Sequence, residues 1–462
     1  MARCAALAAA LLVPAGVTAA GTQSATQPIA WGQFQGGPGH AGAAPDGPAP
    51  AYADAWKFAA PEGRKGLSGA VVVGDTAIVV GGDGVYGVDV ENGSERWRLY
   101  RNGGLLSLPA VGDVQGDRIL AFTDRAPDGT TNLAAVDISG EARVELWRQP
   151  LKASSRSGVT IDGDNVFVAD DQGRVYGFDL RKGDPLWEPV RGVGRIDAPP
   201  AAGEGRVYAV SRDTANGAVE VFGVDVATGR KIWTFQPRAQ ALSVSALAVV
   251  NGEVCVVGPD QLVYELGAEK GNTLATFRVG TGVSPLSAPA VSGRTLFVAD
   301  LGGGVHAYDL GSGERLWDYQ FNELQLRSSP VVVSNSVVVG LNDGRLVAID
   351  VKSGHLVWQS DTGTAPVGPI AVVADRLVAA TAGAHGGLIG LAHDASASLT
   401  DIPSPSELNL SGTLAHFALA FLGGSIVILG ATKLLALRFP FEPVGVGEDE
   451  PETQTRDEEG DE

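Results

Sequence analysis

Cysteine and methionine are scarce in this sequence of 462 residues, which has two Cys and one Met. The cysteines are Cys4 and Cys255, so no intramolecular disulfide can form once a leader that contains Cys4 is removed. Cys255 lies in the strand-like run Glu253-Val-Cys-Val-Val257. Free Cys packs as a small apolar residue, and we therefore expect Cys255 to be a buried core residue.

Positive charge is also in short supply. Lys and Arg number 34 against 53 Asp and Glu, which gives a formal net charge of -19. A protein that binds nucleic acid needs a basic patch to contact phosphates, so the composition excludes that class of partner. Part of the charge is local, because nine acidic residues and one Arg fall between Glu448 and Glu462.

Motifs for several catalytic classes are missing. The sequence contains no Gly-Lys-Ser/Thr phosphate loop and no Gly-x-Ser-x-Gly nucleophile elbow. No pair of its histidines has a metal-ligand spacing such as His-x-x-x-His. The six histidines are His40, His306, His355, His385, His393 and His416.

Long amphipathic helical patterns are absent between residues 60 and 395, and what is there instead is a repeat. Gly numbers 63, and short Val-rich runs bounded by Gly, Asp and Asn indicate strands joined by tight turns. Six segments begin with Asp, pass through a short turn and reach a Trp. They are Asp89 to Trp97, Asp137 to Trp147, Asp179 to Trp187, Asp225 to Trp233, Asp309 to Trp317 and Asp350 to Trp358. A divergent seventh copy passes through Gly271 and ends at Phe277.

The aromatic ends recur every 40 to 50 residues, which is the period of a four-stranded propeller blade. An eighth unit starts at Val367-Gly-Pro369 and stops near Leu391 without an outer Trp strand. A spare outer strand, Ala55-Trp-Lys-Phe58, stands upstream, with Trp56 41 residues before Trp97. We therefore predict an all-β fold, an eight-bladed propeller over residues 55–393 whose last blade is closed by the strand around Trp56.

The repeated Asp and Trp residues have structural explanations. Asp at the end of a strand accepts hydrogen bonds from turn amides. An outer-strand Trp fills the space between two blades while its N–H finds a carbonyl. Seven of the eight Trp residues occupy this position, and only Trp31 does not.

The best-formed units resemble a known repeat. Ala348-Ile-Asp350 follows Asp343-Gly344 and precedes Trp358, and Asp225-Val-Ala-Thr-Gly229 precedes Trp233. These units resemble the pyrroloquinoline-quinone-type (PQQ-like) propeller repeat, nearest to its small non-enzymatic, outer-membrane assembly branch. The opening Trp31-Gly-Gln-Phe34 is similar to the lead-in of such proteins. The resemblance covers about residues 31–393. It implies a fold and not an activity, because the family includes both quinoprotein dehydrogenases and assembly lipoproteins.

The two ends predict the location. Arg3, an apolar stretch and Val17-Thr-Ala-Ala20 have the order of a signal peptide, which we assign to residues 1–20. An uncleaved anchor is the alternative. A lead-in (21–54) precedes the propeller, and a Ser/Pro/Ala stalk (394–413) follows it. Residues 414–437 are long and apolar enough to be a transmembrane helix, and Lys433 and Arg438 place the acidic tail (438–462) in the cytoplasm.

Acidic pairs are the remaining candidates for a metal site. Asp162 with Asp164, and Asp170 with Asp171, could bind calcium through their carboxylates. Both pairs fall where hairpin turns are expected, and turn chemistry explains them more simply. We therefore assign no catalytic, cofactor-binding or metal-binding residue from the sequence.

Two functions follow from these observations. The dehydrogenases of the resembled family use PQQ, calcium, a catalytic Asp and usually a disulfide between adjacent cysteines, and this sequence has no adjacent Cys pair. The units also lack the inserted loops of the enzymes. The favoured prediction is a non-catalytic, membrane-anchored extracytoplasmic propeller, without a cofactor, that binds a protein or an envelope polymer. The alternative is a PQQ-dependent quinoprotein dehydrogenase with a divergent cofactor pocket.

Overall fold

The computed structural model describes a single β-rich part of the chain, comprising residues 29–59, 67–81, 84–100, 104, 107–237, 245–279, 288–321, 325–326, 328–362, 370–381 and 387–394. Met1–Thr400 form one compact unit and Asp401–Glu462 a second, and every described residue belongs to the first. The predicted signal peptide, transmembrane helix and acidic tail lie outside the described residues. Within the described ranges, no helix long and apolar enough to cross a bilayer occurs.

Three strands come from the N-terminal segment and join three different sheets. They are β1 (Ile29–Trp31), β2 (Ala43–Ala44) and β3 (Tyr52–Ala59).

The remaining strands form eight antiparallel sheets, which we number as blades 1 to 8 and give from the innermost to the outermost strand. Blade 1 consists of β4 (Val71–Val73), β5 (Thr76–Gly81), β6 (Gly84–Asp89) and β7 (Glu95–Tyr100). Blade 2 consists of β8 (Ala110–Val114), β9 (Asp117–Arg125), β10 (Thr131–Asp137) and β11 (Val144–Pro150). Blade 3 consists of β12 (Val159–Asp162), β13 (Asn165–Ala169), β14 (Arg174–Asp179) and β15 (Val190–Arg191). Blade 4 consists of β16 (Ala201–Gly203), β17 (Arg206–Arg212), β18 (Val219–Asp225) and β19 (Lys231–Phe235).

The second half of the ring repeats this order. Blade 5 consists of β20 (Ala248–Val250), β21 (Glu253–Val257), β22 (Leu262–Gly267) and β23 (Thr273–Arg278). Blade 6 consists of β24 (Ala290–Ser292), β25 (Thr295–Ala299), β26 (Gly304–Asp309) and β27 (Arg315–Gln320). Blade 7 consists of β28 (Val331–Val333), β29 (Ser336–Gly340), β30 (Arg345–Asp350) and β31 (Leu356–Asp361). Blade 8 consists of β32 (Ala371–Val373), β33 (Arg376–Ala380), β34 (Gly387–His393) and the N-terminal β3.

The N-terminal strand closes the ring, as the sequence predicts. β3 pairs antiparallel with β34, and Trp56 lies opposite Gly390. The Nε1 atom of Trp56 donates to the Val90 carbonyl of blade 1 at 2.6 Å. On the other side of blade 8, Trp358 of blade 7 donates to the Tyr52 carbonyl at 3.1 Å. The eight-bladed fold is therefore confirmed, and β3 covers the sheet edge that would otherwise be left open.

The hydrophobic core follows the seams between blades. Seven clusters of buried apolar residues occur among the described residues, and each joins neighbouring blades. The largest contains Trp56, Val88, Leu346 and Leu377, and it spans blades 7, 8 and 1. Burial of apolar side chains between sheets supplies the main driving force for this arrangement.

The outer-strand tryptophans make the interblade contacts that we expect of them. The indole N–H of six reaches a carbonyl of the following blade at 2.6 to 3.2 Å. These pairs are Trp56 with Val90, Trp147 with Leu180, Trp187 with Val226, Trp233 with Ala268, Trp317 with Val351 and Trp358 with Tyr52. Trp97 instead packs under the Arg143 guanidinium, 4.8 Å from the ring centroid.

The turn after the third strand explains the repeated Asp and Gly. In blade 6, Oδ1 of Asp309 accepts from the Ser312 hydroxyl at 2.7 Å, and the Gly313 N–H donates to the Asp309 carbonyl. Gly313 has a φ of +69°, a conformation that glycine adopts without strain. The turn therefore needs both residue types for local reasons.

Two blades depart from the pattern. In blade 3, Trp187 precedes the two-residue outer strand β15 instead of lying within it. In blade 5, the strand register places Ala275 opposite Glu265, where other blades place Trp opposite Gly or Ala. Phe277, which the sequence pattern takes as the aromatic end, lies two residues further along β23.

Candidate functional site

The N-terminal lead-in lies in the centre of the ring, because it forms hydrogen bonds with the inner strands of blades 1 to 7. β1 pairs with β4 of blade 1, and β2 pairs with β28 of blade 7. Between them, backbone carbonyls of the lead-in accept from inner-strand amides at 2.6 to 2.8 Å. The pairs are Gly32 with Val111, Pro38 with Ala202, Gly39 with Val249, Ala41 with Val291 and Gly42 with Val332. Along its sequence, the lead-in therefore contacts blades 2, 4, 5, 6 and 7 in that order.

Gln33 makes the contact to blade 3 with its side chain. Its Nε2 donates to the Ile161 carbonyl at 2.9 Å, and its Oε1 accepts from the Ile161 N–H at 2.8 Å. The amide group therefore copies the pairing of a neighbouring strand. Gly39 needs to be glycine for a different reason, because a Cβ there would collide with the Val249 carbonyl of blade 5.

His40, the one histidine of the lead-in, is fully buried. Its ring lies edge-on to Phe34 with 5.1 Å between centroids, and its Nε2 is 3.3 Å from the Thr160 hydroxyl of blade 3. Burial lowers the pKa of His40 to about 3, so the ring is neutral at physiological pH. It is a packing residue of the ring centre rather than an acid or base in contact with solvent.

A cavity of about 520 Å³ opens between the lead-in and the inner strand of blade 8. Its lining residues are mostly small and apolar: Ala30, Trp31, Gln35, Gly36, Gly37, Ala41, Ala43, Ala44, Pro45, Asp46, Gly47, Val372, Val373 and Ala374. Asp46 is the one charged residue among them. The Nε1 of Trp31 and Oε1 of Gln35 are buried and have no hydrogen-bond partner within the described part of the chain. The cavity leaves part of the ring centre open beside blade 8.

A buried polar cluster is centred on His306, in β26 of blade 6. Nε2 lies 3.0 Å from Oδ2 of Asp300, and Nδ1 lies 2.7 Å from Oδ1 of Asp318. Burial lowers the pKa of His306, but hydrogen bonds to the two carboxylates outweigh burial and raise it above its ordinary value. A second oxygen of Asp300 accepts from the Gly304 N–H at 2.9 Å. The cluster therefore ties the turn of β25–β26 to the outer strand.

The acidic pairs lie in turns, as the sequence indicates. Oδ1 of Asp170 accepts from the backbone N–H of Gln172 and of Arg174, and its Oδ2 accepts from Arg174 and from the Tyr176 hydroxyl. Asp162 and Asp164 flank Gly163 between β12 and β13, where burial raises the pKa of the Asp162 carboxyl. Cys255 is buried, as expected.

The carboxylates of Asp170, Asp300 and Asp318 do not fit a calcium site of the kind that the resemblance to quinoprotein dehydrogenases implies. Calcium takes six to eight oxygen ligands. The oxygens of Asp170 are occupied by donors of its own turn, and those of Asp300 and Asp318 by His306. Among the described residues, no group of three or more His, Cys, Asp or Glu side chains could hold a metal ion.

Of the other histidines, His355 lies in the outer turn of blade 7 and the Nδ1 of His393 is 2.6 Å from the Ala49 carbonyl. His385 and His416 lie outside the described residues. Sequence reasoning missed the ring-centre role of Gln33 and His40 and the pairing of His306 with two carboxylates. The only signal for the first was Trp31, the single Trp outside the outer-strand pattern.

Comparisons with known proteins agree with this architecture. The crystal structure of BamB from Moraxella catarrhalis superposes with a TM-score of 0.59 at 19% identity and covers 74% of this chain and 100% of that one. A europium-containing methanol dehydrogenase superposes with a TM-score of 0.61 at 14% identity and covers 78% of this chain and 91% of that one. At such identities, both similarities establish the fold alone.

Comparison of sequences identifies a family as well as a fold. Outer membrane protein assembly factor BamB of Bordetella pertussis is 27% identical over 260 residues, which cover 53% of this chain. The match spans 63% of that relative, less than two thirds of its length. The family model described as outer membrane protein assembly factor BamB matches residues 129–274 and 259–405. Because these matches span more than half of the sequence, the chain belongs to this family of PQQ-like propellers.

Proposed function

We propose that this protein is a non-catalytic, membrane-anchored propeller that acts outside the cytoplasm as a scaffold for a protein or an envelope polymer. The observation that carries the proposal is the position of the lead-in. It bonds to the inner strands of blades 1 to 7, so its main chain occupies much of the ring centre and leaves a cavity of about 520 Å³ beside blade 8. The turns on the two rims are then the main surfaces left for recognition.

Membership in this family supports the proposal that the partner is a macromolecule. The related proteins from Bordetella pertussis and Moraxella catarrhalis are named for outer membrane protein assembly and as BamB, respectively. We propose that this chain likewise binds a polypeptide or polymer of the cell envelope. A rigid ring suits this task, because loops on a fixed scaffold lose little conformational entropy on binding.

We further propose that the chain is held at the membrane by residues 414–437. This stretch is interrupted only by His416 and Lys433, both near its ends. A hydrophobic helix of that length crosses a bilayer core, and Lys433 with Arg438 favours a cytoplasmic tail. Residues 1–20 would direct export, and residues 394–413 would hold the propeller away from the bilayer.

Cross-linking of the full-length protein in intact cells tests the scaffold proposal. We expect discrete cross-linked products when a photoreactive residue replaces Asn92 or Ser312, which are exposed residues of outer turns. The matched control places the same residue at Val339, which is fully buried, and we expect no product there. Absence of any product from a full set of exposed turn positions would contradict the proposal.

The dehydrogenase alternative is tested on the same purified protein. Addition of pyrroloquinoline quinone and calcium, followed by dye reduction with alcohols and sugars, separates the two functions. We expect no saturable quinone binding and no turnover, because the carboxylates nearest to a calcium-binding arrangement are occupied by donors of their own turns. Saturable binding with turnover would overturn the scaffold proposal and establish the enzyme.

A further inference from the structure

The inner strand of blade 8 differs from the other inner strands in what lies along its axial edge. In blades 1 to 7 the lead-in forms hydrogen bonds with the inner strand, through β1, β2, backbone carbonyls or the side chain of Gln33. Within the described residues, no hydrogen bond joins the lead-in to β32 of blade 8. The axial edge of β32 is therefore open where the other inner strands are covered.

The register of blade 8 turns main-chain groups toward this open edge. Val372 of β32 lies opposite Leu377 of β33. Val332 of blade 7 lies opposite Val337 at the same spacing along the chain, and its N–H donates to the Gly42 carbonyl of the lead-in at 2.8 Å. Because the two registers are the same, the N–H and C=O of Val372 point to the ring axis rather than to β33.

The cavity of about 520 Å³ lies along this edge. It is lined by Val372, Val373 and Ala374 of blade 8 and by small residues of the lead-in. Two further lining residues, Trp31 and Gln35, have only 2% and 1% of their surfaces exposed. The indole N–H of Trp31 and the Oε1 of Gln35 have no hydrogen-bond partner in the part of the chain that the structure describes. The lining therefore holds one unused donor and one unused acceptor besides the edge of β32.

An extended polypeptide segment supplies the groups that this cavity lacks. Each peptide unit has one N–H donor and one C=O acceptor, so a strand that runs along β32 bonds to both main-chain groups of Val372. A further carbonyl of the segment is the acceptor that the Trp31 indole needs, and a further N–H is the donor that Gln35 needs. The lead-in shows that main chain fits beside the inner strands, since it takes this position on blades 1 to 7.

The lining also indicates the side chains of the segment. Most lining residues are Ala, Gly and Val, which leave room for small side chains only. Asp46 is the one charged residue of the lining, and it is exposed. A cationic side chain near one end of the segment is attracted by this carboxylate, and an acidic one is repelled.

We propose that the open edge of β32 binds a short extended segment of a partner polypeptide, rich in Ala and Gly and with a Lys or Arg near Asp46. The segment makes blade 8 five-stranded, as β1 and β2 already make blades 1 and 7. This inference rests on the proposed function, because it takes the partner of the scaffold to be a polypeptide. It adds a contact inside the ring to those on the rims.

Peptide binding to the purified full-length protein tests the proposal. The probe is a fluorescein-labelled peptide of Ala and Gly that carries one Lys, and fluorescence anisotropy follows its binding. We expect saturable binding, and binding weaker by about threefold or more when Glu replaces the Lys of the peptide, because Asp46 then repels it. The peptide should also raise the hydrogen-exchange protection of β32. Protection of β28 should not change, because Val332 already bonds to Gly42.

Two variants decide whether the cavity is the binding site. Gly37→Phe fills the cavity, since Gly37 lines it and an added Cβ meets no atom within 4 Å, and it should abolish saturable binding. Gly140→Phe is the matched control, because a Cβ there is equally unobstructed and Gly140 does not line the cavity. Trp31→Phe removes the indole donor and should weaken binding about two- to tenfold. It keeps the test open if Gly37→Phe does not fold.

Absence of saturable binding to the wild-type protein would overturn the proposal, and a cavity that holds only water gives this result. Binding that neither Gly37→Phe nor Trp31→Phe weakens would also overturn it, because the peptide would then bind elsewhere. Cross-linking from the rim positions Asn92 and Ser312 is measured independently. A negative peptide result beside positive rim cross-links therefore rejects this site and leaves the scaffold proposal intact.

Discussion

The seam that closes the ring and the seam between blades 5 and 6 solve the same packing problem with opposite chemistry. At the closing seam, Trp56 packs on the turn glycine Gly93 and donates one hydrogen bond to Val90. Between blades 5 and 6, Glu265 and Arg294 supply the polar contacts and Phe277 supplies the apolar one. The first contact contains no charged group, whereas the second places the buried Glu265 carboxyl and the Arg294 guanidinium in the interface.

This difference shows that the ring tolerates unequal joints. An indole combines a large apolar surface with a single donor, and its stacking energy does not depend on pH. Burial raises the pKa of the Glu265 carboxyl to about 7, so this seam contains a titratable group. In a closed ring each blade packs against two neighbours, so the contacts on one side support a blade whose other seam is weaker.

Removal of the closing indole should have the largest effect. We expect Trp56→Ala to cost about 3–5 kcal/mol in the free energy of unfolding, because it deletes a buried aromatic side chain from the strand that closes the ring. Denaturation by urea measures the loss. The same substitution at Trp187, a partly buried indole before a two-residue strand, should cost clearly less. Equal costs would contradict the special weight that we give to the closing seam.

The glycine under that indole should rank second. A Cβ at Gly93 would lie 2.7 Å from Cε3 of Trp56, and φ there is +74°. We expect Gly93→Ala to cost about 2–4 kcal/mol, from backbone strain of about 1–2 kcal/mol and from overpacking. Gly116→Ala is the matched control, since φ is +89° and nothing lies within 4 Å of the added Cβ. The excess of the first cost over the second measures the Trp56 contact.

His306 makes a titratable contact within blade 6. It can be compared with the titratable contact of Glu265 at the seam between blades 5 and 6. The raised pKa of His306 means that its ion-paired form stabilises the fold fully below about pH 6.5, and this contribution is lost as the pH rises through the folded value. We expect His306→Gln to cost about 1–3 kcal/mol near pH 6 and less near pH 9. Urea denaturation at both pH values tests this expectation.

Transfer of the closing-seam chemistry into blade 5 should have the smallest effect on stability. The double variant Glu265→Gly with Ala275→Trp recreates the Gly–Trp pair of blades 1, 4 and 8. We expect a gain of about 1 kcal/mol or less near neutral pH, because Phe277 already fills part of the space. Urea denaturation measures the gain, and a clear loss of stability would contradict this expectation.

Much of the fold was predictable because it repeats. The spacing of the aromatic ends gives the number of blades, and the spare strand around Trp56 gives the closure, since both follow from a pattern that each unit carries in its own residues. Register was harder to predict. Phe277 is the obvious aromatic of the divergent copy, yet Ala275 holds the position opposite the third strand.

The site was less predictable, because it depends on contacts between distant segments. Gln33 meets Ile161 across 128 positions of sequence, and no local pattern links them. The sequence pattern gives no partner for His306. In the fold, Asp300 from the adjoining turn and Asp318 from the outer strand lie within hydrogen-bond distance of its ring. Asp170 was correctly assigned to a turn, because its partners lie within six residues.

The sequence by itself therefore determined the repeating unit, the number of blades and the strand that closes them, since hairpins and strand periodicity are local properties of the chain. Only the tertiary structure decided that the lead-in lies in the ring centre and that the Glu265 carboxyl contacts blade 6 across its seam with blade 5. Those features arise where residues far apart in sequence compete for the same space, and that competition is settled by packing of the whole ring.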